Sequence, residues 1–219
     1  IKSFEPLWLG DFFTPDNKAL VYASLNSMEQ KKLNVYPDFI NYFNAIYNYS
    51  NSGMSSENFE KWNSTLDNVI KKYNNKRVQD FLKVSNNLFL DGTIYVTSRT
   101  QKAATRWQVS KKDNFDIQFD KKLPVFIFNE VDLRCFSKND SSVIRNTSGQ
   151  FFPLTSLWKG NGGKIDWQRA KKDKDLYYAK VNSYNIGLKS SSYYIDSVLF
   201  YSSYFDYPIM GKLTEKVLS

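Results

Sequence analysis

The spacing of hydrophobic positions changes once along the chain, from about 3.6 to about 2 residues, close to Gly92. Ahead of that point four stretches read as amphipathic helices. Thr14-Pro15-Asp16 starts the first: Thr caps, Pro suits the first helical position, and Asp suits the positive end of the helix dipole. Leu20, Val21, Leu25 and Met28 follow at helical spacing. Pro37-Asp38 opens a second helix with Phe39, Ile40, Phe43, Ile46 and Tyr47 on one stripe, and a polar loop with Gly53 is expected over residues 49–56. The third helix begins near Ser55 or Ser56. Its face of Phe59, Trp62, Leu66, Val69, Ile70 and Tyr73 is the most regular in the chain, with Glu57 and Glu60 in the first turn and Lys71 and Lys72 in the last. Asn74-Asn75 breaks it. A fourth carries Val78, Phe81, Leu82, Leu88 and Phe89 and stops at Asp91-Gly92. Short connections between four such helices predict a small bundle whose aromatic stripes are core.

After Gly92 the pattern is that of strands. Ile94-Tyr95-Val96, Trp107 with Val109, and Phe115, Ile117 and Phe119 come first, followed by 125–128 and then Val131, Leu133 and Cys135. Further strands are expected at 142–145, 150–152, 164–167, 184–188, 197–201 and 211–217, with a short helix possible over 168–180. The fold class is therefore α+β: an N-terminal helical cap over residues 1–92, packed on a β-rich region over 93–219. Hairpin turns rich in Gly or Asn are rare, while Ile127, Ile144, Ile165, Ile186 and Ile209 recur at intervals of roughly 20 residues. This favours the start of a right-handed parallel β-solenoid, its first rung covered by the helices, with a β-sandwich or β-roll as the alternative. The strand pattern running up to Ser219 leads to the expectation of further β-structure beyond it.

Composition narrows the chemistry. With 17% aromatic residues the chain can build a core, and no apolar run approaches the roughly 20 residues that cross a bilayer. Histidine is absent, which removes imidazole general bases, Ser-His-Asp and Cys-His systems, and imidazole metal sites. Cys135 is the single cysteine, so no intrachain disulfide or thiolate cluster can form; alternation places it with Val131 and Leu133 as a small buried hydrophobe. No catalytic residue, cofactor or metal site is assigned. Lys and Arg total 30 against 22 Asp and Glu, a formal charge of +8, compatible with anionic partners. Most of the excess lies in short lysine pairs that turns and helix ends can solvate, and nucleic acid is not expected as a partner. The sequons at Asn48, Asn63, Asn139 and Asn146 carry little weight in so Asn-rich a chain.

Several motifs invite chemistry. Gly160-Asn-Gly-Gly-Lys164 resembles a phosphate loop but lacks the spacing and the following Ser or Thr, so a tight turn is the simpler reading. Trp158, Lys159, Lys164, Trp167 and Arg169 surround it; flat rings for stacking and cations for charge make these five the candidate ligand-binding residues, for a glycan or an anionic envelope polymer. Asp116, Asp120 and Asp132 offer the carboxylates a glycosidase or lyase would need, although alternation turns Asp116 and Asp120 outward as solvated acids. Asn139-Asp140-Ser141 is a turn with too few oxygens for calcium.

The stretch from Phe151 to Trp167 resembles, together with Tyr184–Leu188, Ser192–Tyr201, Pro208–Val217 and the helix around Trp62, the N-terminal region of large exported or cell-envelope proteins of Gram-negative anaerobes. That resemblance implies an exported location, in the envelope or outside the cell, and a β-rich continuation; it carries no activity and no site residues. The absence of a visible signal peptide before Ile1 fits a mature exported chain or an internal segment. The expected function is a non-catalytic structural or interaction module of a larger exported protein. Its alternative is a carbohydrate-binding or carbohydrate-active domain using carboxylates and aromatic platforms. A third expectation is a lipid or envelope-polymer contact along a solenoid face.

Overall fold

The computed structural model describes residues 10–97, 106–136, 141–168, 176–189, 192–202 and 205–216. Four helices come first: α1 (Pro15–Gln30), α2 (Ile40–Asn51), α3 (Ser56–Lys72) and α4 (Asn75–Asp91). Thr14, Ser55 and Asn74 cap α1, α3 and α4, their side-chain oxygens accepting the backbone N–H of Asn17, Asn58 and Arg77 at 3.3, 3.2 and 3.0 Å. Each such cap contributes about 1 kcal/mol. A wide helical turn, Val35–Phe39, with a cis Tyr36–Pro37 bond, leads into α2. α2 then runs three residues into the stretch expected as loop. Burial is the reason: Tyr49 packs edge-on to Phe89 at 5.0 Å and donates its hydroxyl to the Ser55 carbonyl at 2.8 Å. Tyr47, assigned above to the apolar stripe, is instead 52% exposed.

Polar side chains fix how the helices pair. Asn17 donates to Ser56 at 3.0 Å and Ser24 to Asn63 at 3.1 Å, at one constant sequence offset, so α1 and α3 run parallel. Asn48 donates to Asn86 at 2.7 Å and the Ser52 hydroxyl to the Phe89 carbonyl at 3.2 Å, so α2 and α4 are parallel too. α3 and α4 form an antiparallel hairpin, tied by Trp62 Nε1 donating to Ser85 at 3.0 Å. One end of the bundle therefore holds the C-terminal ends of α1 and α3 and the N-terminal ends of α2 and α4.

Among the described residues eleven strands form one sheet: β1 (Thr93–Val96), β2 (Arg106–Val109), β3 (Phe115–Asp120), β4 (Leu123–Phe136), β5 (Ser141–Phe152), β6 (Leu157–Asn161), β7 (Lys164–Gln168), β8 (Leu176–Val181), β9 (Ser183–Gly187), β10 (Ser192–Ser202) and β11 (Phe205–Lys216). Every pairing is antiparallel. β2 and β3 lie end to end along β4, β6 and β7 along β5, and β8 and β9 along β10. The topology is thus a meander of long strands, each returning beside the one before it.

This overturns the parallel β-solenoid. Ile144 and Ile165 are direct cross-strand partners, but on antiparallel neighbours. In an antiparallel meander the separation of paired residues changes along the strands, from 23 for Ile127–Gln150 to 5 for Phe136–Ser141, so the even isoleucine spacing encodes neither a rung nor a strand direction. One continuous sheet also replaces the two packed sheets of a sandwich. The hairpin signal was hidden because the β3–β4 turn is Lys121-Lys122, with φ of 43° and 77°, where Asn-Gly is the usual pair. Residues 176–180, where a short helix was possible, belong to strand β8, and β6 has no counterpart among the expected strands.

A row of irregularities crosses the sheet at one level. In β4 the buried positions switch from Phe126 and Phe128 to Val131, Leu133 and Cys135; in β5 from Ile144 to Thr147 and Phe151. Between β6 and β7 they switch from Trp158 to Ile165, and between β8 and β9 from Val181 to Tyr184 and Ile186. The first three switches sit at left-handed backbone: Glu130 (φ 52°), Asn146 (φ 51°), and Gly162 and Gly163 (φ 72° and 114°). An inserted residue returns the following side chains to the core face. Gly160–Lys164 is thus a mid-strand bend beside β5, not the turn between rungs expected from its sequence.

The core runs unbroken from helices to sheet. Ring contacts link Tyr42 to Trp62 (5.8 Å), Trp62 to Phe89 (5.4 Å), Phe89 to Phe115 (5.8 Å), Phe115 to Phe128 (6.2 Å) and Phe128 to Trp158 (5.9 Å). Offset and edge-on pairs at these distances stabilise by about 1 kcal/mol each beyond area burial. The aromatic richness of the chain is used here, inside.

Candidate functional site

Four strands present their solvent face side by side next to the bulges. Ile127 of β4 lies opposite Gln150 of β5, Gln150 opposite Lys159 of β6, and Lys159 opposite Asn185 of β9. A second row runs from Ser148 to Asn161 to Ser183. With Asn129 they line an open trough of about 380 Å³. Its polar groups are carboxamides, hydroxyls and one ammonium. Lys159 Nζ stands 5.4 Å from the Phe152 ring centre, and Ser148 Oγ accepts the Glu130 N–H at 3.3 Å. No carboxylate lines the trough.

The floor depends on the opposite face. Trp158 is fully buried; its ring lies over Gly149, and its Nε1 donates to the Tyr184 hydroxyl at 3.1 Å. That hydroxyl also pairs with Thr147 Oγ1 at 2.7 Å, and burial pushes its pKa up to about 12. Tyr184 in turn lies over Gly160. Two rings seated on two glycines hold β5, β6 and β9 in register beneath the trough.

The five candidate residues are therefore separated. Lys159 lines the trough. Trp158, its neighbour in a strand, faces the core and is not available to a ligand. Lys164 lies beyond the bend, where its ammonium is 3.7 Å from Asp166. Trp167 belongs to β7, opposite Ser142, and Arg169 lies outside the described residues. Gln150, Asn161 and Asn185 were missed: alternation turns each outward, but only strand pairing places them together.

Of the three candidate carboxylates, Asp116 and Asp132 are committed to structure. Asp116 accepts from Lys61 at 3.2 Å, joining β3 to α3, and Lys61 also pairs with Glu57 at 3.1 Å. Asp120 is exposed at the end of β3. Asp132 accepts the Asn146 N–H at 3.1 Å and lies 3.8 Å from Arg145, which binds Asp166 at 2.7 Å. An arginine thus bridges these two acids, where a glycosidase would need one free base and one protonated acid. Asn139 and Asp140 lie outside the described residues. Cys135 is buried, and desolvation pushes its thiol up to about 12, far from a reactive thiolate. Asn63, in one of the sequons, is buried between Ser24 and Tyr42, which both donate to it.

Among the described residues no cluster of three potential metal ligands occurs, and no helix is long and apolar enough to cross a membrane. No family model matches the chain, and neither curated proteins nor solved structures yield a match.

Proposed function

We propose that the chain is a non-catalytic interaction module of a larger exported protein, and that its trough takes a neutral saccharide chain. The observation that carries this reading is the lining: Gln150, Asn161 and Asn185 on adjacent strands, with Ser183 and Lys159 between them. A carboxamide offers both a donor and an acceptor, the pair that vicinal hydroxyls of a sugar require. The apolar Ile127 edge gives a pyranose face a surface to lie on. A catalytic variant of the same reading has less support, because acids are missing from the trough and Asp116, Asp132 and Asp166 are ion-paired. The exported setting rests on the resemblance of residues 151–167 and the related segments.

Glycan-array screening followed by calorimetry tests the proposal. A neutral oligosaccharide is expected to bind without being cleaved, and Gln150→Ala with Asn185→Ala to weaken it by about tenfold or more, since each lost hydrogen bond costs about 1 kcal/mol. Release of reducing ends by the chain would replace the module with an enzyme. Binding untouched by the double variant would remove the trough.

A further inference from the structure

Five lysine pairs are scattered along the sequence, and the fold gathers three of them at one end of the molecule. Because α1 and α3 run parallel, Lys31 and Lys32 finish at the same end as Lys71 and Lys72. The Tyr73 hydroxyl donates to the Lys122 carbonyl and so brings the Lys121-Lys122 turn to that end as well. The short connection into α4 adds Lys76, which lies 3.5 Å from Asp80. All but the half-buried Lys31 are exposed. Glu29, Asp67, Asp80 and Asp120 are the acids at this end of the same elements, fewer than the cations, and Asp38 is buried; Asp16, Glu57, Glu60, Asp91 and Asp116 lie toward the opposite ends.

An apolar tip stands among these lysines. Val35 and Tyr36, between α1 and α2, are 74% and 79% exposed, the highest values among the exposed large hydrophobic residues described. They are held outward by their neighbours. Leu33 is buried and donates its N–H to the Met28 carbonyl at 3.1 Å, while the Asp38 carboxylate accepts the Asn34 N–H at 2.8 Å and closes the loop. Phe39 packs against the core on the far side.

We propose that this end of the molecule docks on an anionic lipid bilayer, Val35 and Tyr36 entering the interfacial layer and the surrounding lysines lying against the headgroups. A Tyr ring suits that layer, apolar in body and polar at its tip, and lysines add attraction to anionic headgroups within a Debye length of the surface. A soluble polyanion would engage the same lysines but gives Val35 and Tyr36 no apolar phase to enter. The surface is separate from the trough and does not depend on it.

Cosedimentation with vesicles tests this, using phosphatidylcholine alone and phosphatidylcholine mixed with phosphatidylglycerol. The 219-residue chain is expected to pellet with the mixed vesicles only and to be released by about 0.5 M salt, where screening is nearly complete. The double variant Val35→Ser with Tyr36→Ser is expected to bind at least about tenfold more weakly. Lys71→Gln with Lys72→Gln is expected to weaken binding comparably and to flatten its salt dependence. Far-UV circular dichroism establishes that each variant is folded. Failure of the folded wild-type chain to pellet with either vesicle overturns the proposal. Unchanged pelleting of the folded Val35/Tyr36 variant overturns it too, because the contact would then be one of charge alone with nothing entering the interfacial layer.

Discussion

A carbon added at Gly149 would lie 2.2 Å from the Trp158 ring, and one at Gly160 would lie 2.0 Å from that of Tyr184. Neither ring can retreat freely, because Trp158 stacks on Phe128 and Tyr184 is bonded to both Trp158 and Thr147. Gly149→Ala is expected to lower stability by about 2–3 kcal/mol, the usual cost of overpacking a closed core, and urea denaturation reads it. A loss below half of that would mean the rings have room to shift. The same residues show what a sequence conceals. Trp158 and Lys159 are adjacent in the chain and were grouped for their chemistry, yet in a strand adjacent residues point to opposite faces. Lys159 reached the surface; Trp158 became the floor beneath it. Aromatic residues near a turn look alike whether they stack on sugar or on glycine, and only the pairing partner tells the two apart.

The starts of α1 and α3 and the stop of α4 were legible because caps are local, whereas the end of α2 was not. Thr14, Ser55 and Asn74 act within three residues of their own positions, and Gly92 ends α4 where the sequence placed its stop. Strand partners were not legible, because pairing is non-local and its usual turn marker was missing at Lys121-Lys122. α4 shows a long-range completion of a local need. Its last turn has no basic residue of its own, and Lys112, from the β2–β3 connection, donates to the carbonyls of Phe89 and Leu90, the latter at 2.7 Å, and to Ser52 at 3.0 Å. An ammonium on terminal carbonyls both satisfies them and opposes the helix dipole. Lys112→Met is expected to cost about 1–3 kcal/mol in thermal or urea melts, with Lys112→Arg recovering part of it. An unchanged melting curve for the methionine variant would assign those carbonyls to water.

The expected division near residue 92 marks a change of secondary structure, but the ring contacts cross it at Phe81–Phe126 (6.3 Å) and Phe89–Phe115 (5.8 Å). Helices and sheet are expected to unfold together: helix ellipticity at 222 nm and tryptophan fluorescence should give one midpoint in urea. Separate midpoints would show a bundle that stands without the sheet. The period switch made the α+β class readable, whereas the direction of the strands and the convergence of the lysine pairs depended on contacts between distant segments. The bulges in the central strands have a consequence for alignment. A one-residue slip of β5 along β4 would turn the core side chains outward on both sides of the bulge at once, and no shift could restore both halves. The central pair of the sheet is thereby locked at mid-strand, with no marker turn needed to set it.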